Sequence, residues 1–69
     1  MSQTLQPHQE RVIDERNAVQ IKIDRLGAFL RSESVNILPA EEQDRMQRQF
    51  DVMGQYRDVL NERIAAFQA

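Results

Sequence analysis

The chain has 69 residues, with eleven acids against nine bases for a formal charge of −2, one histidine and no cysteine. That length holds one small domain. The composition excludes disulfides and thiolate metal sites, leaves too few ligands for a protein-only zinc site, and offers no basic block to track a nucleic-acid backbone.

From Leu5 onward an apolar ladder alternates steps of three and four residues: Leu5, Gln9, Val12, Arg16, Val19, Ile23, Leu26, Leu30. This is the seam of a coiled-coil-like helix. Proline suits a first helical turn, and nothing breaks the period before about residue 33, so a first helix is expected over about 7–33. Residues 34–38 lose the period and form a loop that carries Val35, Ile37 and Leu38, three apolar side chains where a hairpin tip is normally solvated; either they cap the open end of the hairpin core or meet a neighbouring subunit, or they form a docking tip for a different protein. Pro39 followed by Glu41 and Glu42 opens a second helix, the acids standing where the helix dipole favours them. Its ladder, Gln43, Met46, Phe50, Met53, Arg57, Leu60, Ile64, Phe67, reaches the end of an expected helix over about 39–67. Gly27 and Gly54 lie mid-helix beside the seams, each either permitting close backbone approach or standing as a tolerated weak point.

The fold class is all-α: an antiparallel two-helix hairpin occupying 1–69 as a single domain. One such seam is a small core, and small scaffolds add disulfides, metals or association. With the first two unavailable, the hairpin is expected to assemble into a homo-oligomeric helical bundle. Each helix has a second, weaker stripe that a lone hairpin leaves in water: Ala18, Ile21, Arg25 and Ala28 on the first, and Val52, Tyr56, Val59, Arg63 and Ala66 on the second. Another copy of the chain is the most economical cover.

Both ladders are interrupted by an arginine. If facing seam positions sum to about 73, Arg16 meets Arg57, Ile23 meets Phe50, and Gln20 and Gly27 approach Gly54 and Gln47. His8, Glu15 and Lys22 then share one flank with Arg63, Tyr56 and Gln49. Neither seam arginine has an acid three or four residues away on its own helix, so the expected partners come from across an interface. Two readings stand. Acids such as Glu15, Asp14, Asp58 or Glu62 close the pair structurally. Alternatively, an anionic ligand lies between helices, held by Arg16, Arg57 and Arg63, with Tyr56 against a ring and His8 and Glu15 alongside.

Catalysis has no foothold: Ser2, Ser32 and Ser34 lie in the tail and loop, far from His8, and no phosphate-cradling glycine loop exists. A non-enzymatic protein without cofactor or metal is expected. No stretch reaches the length of a membrane span, and the first residues lack a signal peptide's regions, which reads as an intracellular protein.

The runs Pro7-His8-Gln9-Glu10-Arg11-Val12-Ile13-Asp14-Glu15, Leu26-Gly27-Ala28-Phe29-Leu30, Met53-Gly54-Gln55-Tyr56 and Arg63-Ile64-Ala65-Ala66-Phe67 resemble a family of small phage proteins known by relation to an open reading frame of a crAss-like phage. The resemblance covers about positions 6–67. It implies a short accessory protein in the cytoplasm of an infected bacterial host and carries over no functional residue. In architecture the chain is also similar to phage proteins that sequester the cyclic nucleotide messengers of bacterial defence; their binding motifs do not align here. Two functions follow as expectations. One is an oligomeric anti-defence sponge for a nucleotide messenger. The other is an interaction module that inhibits or scaffolds a host or phage protein through Val35, Ile37, Leu38 and the outer residues Ile21, Val52 and Val59.

Overall fold

The computed structural model describes residues 5–67, and within them the chain is a helical hairpin without strands: α1 (Pro7–Leu30), a 3₁₀ turn (Glu33–Ile37) and α2 (Ala40–Ala66). The first residues and Ser2 lie outside the described part. Pro7 begins α1 where its missing N–H costs no bond, and the Gln6 amide N–H donates to Gln9 Oε1 at 2.9 Å to close the start. At the other end the Ser32 hydroxyl donates to the Phe29 carbonyl at 2.6 Å, taking up one of the acceptors that a helix end leaves free. α2 opens on Pro39, whose carbonyl accepts from the amides of Glu42 and Gln43, and the Gln43 side chain donates to the Leu38 carbonyl at 2.9 Å.

The connection departs from an exposed loop. Val35 is turned inward and is only 8% exposed, so the 3₁₀ turn closes the end of the hairpin and leaves Ile37 outside at 84%. A single turn of this tight helix spaces neighbouring side chains widely enough for one to enter the core while another points out.

The core is the expected seam, narrowed. Val12, Val19, Ile23 and Leu60 form its buried centre, with Phe50, Met53, Ile64 and Phe67 packed around it, and Leu60 is the most enclosed at 1% exposure. Overall the molecule measures 53 × 16 × 15 Å, little more than two helices in cross-section. In such a rod every residue is one layer from solvent.

The two glycines differ. A Cβ on Gly27 would lie 3.0 Å from Phe50 Cε1 and 3.3 Å from Arg31 Nη1, so its bare Cα is what lets the ring seat against α1. Gly54 faces open space within 4 Å and makes no such approach. The close-approach reading is therefore met at Gly27, and Gly54 is the weak point.

Candidate functional site

Two contacts across the hairpin locate the seam arginines. Arg57 Nη1 donates to Gln20 Oε1 at 3.3 Å, and Phe50 seats on Gly27. The 73-sum alignment puts Gly54 beside Gln20 and Gln47 beside Gly27. The residues that fill these places lie three positions further along α2. The shift has a geometric cause: helical side chains lean toward their own N-terminus, so the long Arg57 and Phe50 reach back over the places of Gly54 and Gln47.

The same rule revises the arginine pair. In antiparallel helices, side chains at one level lean in opposite directions. Arg57 leans toward Gln20, and the rule directs Arg16 toward the start of α1. By that rule the two guanidinium groups point apart, and one shared counter-charge is not required.

Arg57 is also satisfied within the chain, which corrects the expectation that its partner must cross an interface. Its Nε and Nη2 donate to Asp58 Oδ1 at 3.2 and 3.0 Å. Gln20, having accepted from Arg57, donates through Nε2 to Asp24 Oδ1 at 2.9 Å. Asp58 is one of the acids expected to close the pair, and although successive residues point about 100° apart, a long arginine folds back to meet its neighbour. Arg16 is different. It is half-buried, and its Nε is buried without a hydrogen-bond partner.

The six residues expected to hold a ligand are consequently divided. Arg57 belongs to the flank of Gln20 and Gly27, and Arg16 to the seam. His8 and Glu15 on α1, and Tyr56 and Arg63 on α2, occupy the heptad positions of the opposite flank, and all four are exposed. Tyr56 is 42% exposed and shares its outward row with Val52 at 62% and Val59 at 52%. Among the described residues the ion pairs are Arg57–Asp58 and Arg45–Glu42, and Arg63 takes part in neither. A shallow concavity of about 320 Å³ lies elsewhere, at the start of α1, lined by Leu5, Glu10, Ile13 and Asp14. Two carboxylates in its wall make it unsuited to an anion.

Of the residues expected to meet a partner, Val35 is committed to the hairpin's own core and Leu38 is half-buried. Ile37 and the outer residues Ile21 (50% exposed), Val52 and Val59 stand in solvent. The described residues contain no cluster of His, Asp or Glu able to hold a metal ion, and no helix is long and apolar enough to cross a membrane.

No curated protein and no solved structure matches the chain. Residues 6–66, nearly the whole hairpin, match the family model Sequestin. The chain therefore belongs to the Sequestin family.

Proposed function

We propose that this protein is a phage-encoded anti-defence factor. In the cytoplasm of an infected bacterium it binds and holds a nucleotide second messenger of immunity, without chemical conversion. The family name is consistent with a sequestering role and with binding in place of catalysis.

The observation that carries the reading is the outward row of α2. There an exposed ring, Tyr56, and an arginine outside the two ion pairs, Arg63, stand on one face of a net-negative chain. Arginine presents a planar fork to phosphate, and a tyrosine ring stacks on a base. His8 and Glu15 flank the row from α1 and suit recognition of base edges. Arg57, already engaged by Asp58 and Gln20, is a supporting residue, and Arg16 is reached only from the seam.

Calorimetric titration with cyclic di- and trinucleotides and cyclic ADP-ribose isomers tests the reading. At least one should bind, with about a tenfold or greater loss for Arg63→Ala and for Tyr56→Ala, the worth of one charge-assisted contact. Arg57→Ala should stay within about threefold. A folded wild-type chain that binds none of them refutes the proposal.

A second reading, a protein-interaction module working through the turn, is supported by Ile37 at 84% exposure. It predicts that Ile37→Ser abolishes binding to a defined host or phage protein while nucleotides have no effect.

A further inference from the structure

Between Arg31 and Arg45 the chain carries no base. Residues 32–44 hold four of the eleven acids, Glu33, Glu41, Glu42 and Asp44, and the remainder, with nine bases against seven acids, is net positive. The negative charge of the molecule is therefore gathered at the hairpin tip. The two bracketing arginines do little to offset it. Arg31 folds back along α1, its Nη1 lying 3.3 Å from where a Cβ on Gly27 would stand, one turn earlier. Arg45 is held by Glu42 at 2.9 Å, which leaves Glu33, Glu41 and Asp44 exposed and in no ion pair among the described residues.

The same tip presents Ile37, at 84% the most exposed large apolar side chain among the described residues. In a 3₁₀ turn, side chains two positions apart stand about 120° from each other, so with Val35 turned into the core Glu33 and Ile37 both face out. Glu33 and Glu41 are four residues before and after Ile37, which limits each to about 14 Å from it along the chain. The backbone around Ile37 is tied down. The Leu38 amide donates to the Val35 carbonyl at 3.1 Å, and the Leu38 carbonyl accepts from Gln43 Nε2 at 2.9 Å. An apolar anchor fixed before contact loses little freedom on binding.

Charge selects the occupant. A second copy would bring up an equally negative tip, and anionic lipid headgroups or nucleic-acid phosphates are repelled for the same reason. The complement of an apolar anchor within an acidic collar is an apolar patch rimmed by lysine or arginine.

We infer that the hairpin tip docks on a different protein whose surface offers an apolar patch with a basic rim, Ile37 entering the patch and Glu33, Glu41 and Asp44 meeting the rim. This supplies the partner chemistry of the second reading above and rests on that reading. It is independent of the nucleotide site, since Tyr56 stands about 22 Å further along α2 than Glu41.

Three short synthetic amphipathic helices serve as probes against the isotope-labelled full-length protein: leucine with lysine, leucine with glutamate, and serine with lysine. The leucine–lysine helix should bind and shift the amide resonances of residues 33–44. The leucine–glutamate helix should not bind, and the serine–lysine helix should bind at least about tenfold more weakly, the worth of one buried apolar side chain. Ile37→Ser, at a position that contributes nothing to the core, should keep its thermal melt and lose about tenfold in affinity for the leucine–lysine helix. Glu33→Lys combined with Glu41→Lys should reverse the preference toward the leucine–glutamate helix.

No binding by the leucine–lysine helix, equal binding by the serine–lysine helix, or an unchanged affinity in Ile37→Ser overturns the inference. Ile37-dependent binding of the leucine–glutamate helix by the wild-type chain would overturn the basic partner and keep an interaction tip. A nucleotide titration reads Tyr56 and Arg63 and leaves each of these outcomes where it stands.

Discussion

Replacing Arg16 by methionine should stabilise the protein. Arg16 Nε is buried and has no acceptor, and a buried donor left unpaired costs about 1–3 kcal/mol. Methionine retains an unbranched stem of similar reach and removes the donor. A net gain of about 1–2 kcal/mol follows, which in a chain of this size is about 4–8 °C in Tm for each kcal/mol. Arg57→Met is the contrast. It deletes bonds to Asp58 and Gln20, but the Arg57 and Asp58 side chains are 30% and 62% exposed, so screening limits the loss to about 0.5–1 kcal/mol. Because the two side chains lean apart, the double variant should be additive within about 0.5 kcal/mol. Urea unfolding followed by circular dichroism, repeated at several protein concentrations to separate folding from association, measures all three. If Arg16→Met is less stable than wild type, the orphan donor has a partner in solution. If the double variant falls short of the sum of the singles by more than about 1 kcal/mol, the arginines do repel, because each single change already relieves the same repulsion, and the divergence argued from helix geometry is wrong.

The remaining substitutions test packing. Gly54→Ala should stabilise by about 0.5–1 kcal/mol, since a methyl enters open space and helix propensity improves, whereas Gly27→Ala forces the Phe50 ring aside and should show none of that gain. Thermal melts of the two side by side decide it, and equal shifts would contradict the close approach at Gly27. Leu60→Ala removes the most enclosed side chain and should cost about 2–5 kcal/mol, enough to unfold a hairpin of this size at ambient temperature by circular dichroism. A cooperative melt within a few degrees of wild type would show that the core lies elsewhere.

The ladder of Val12, Val19, Ile23 and Leu60 carried the fold into view from the sequence because a step of three and four has one structural meaning once Pro7 and Pro39 mark two starts. What periodicity could not express was direction. A heptad alignment places Arg16 and Arg57 at one height and says nothing of the opposite lean that antiparallel helices give their side chains. Nor could it foresee the Asp58–Arg57–Gln20–Asp24 chain, which depends on a guanidinium folding back onto an adjacent residue. Val35 meets the expectation that the turn's apolar residues cap the open end of the hairpin core. Its neighbours Ser34 and Asn36 read as loop, and only the 3₁₀ turn brings it under the end of the core.

These corrections move the functional question from the seam to the outside of α2. Within the seam, Gln20 and Asp58 already answer the charge of Arg57, so a ligand there would have to displace bonds that exist. Val52, Tyr56, Val59 and Arg63 stand outside these bonds. A rod two helices thick has no interior in which to enclose a nucleotide. Any enclosure has to be built from outer faces.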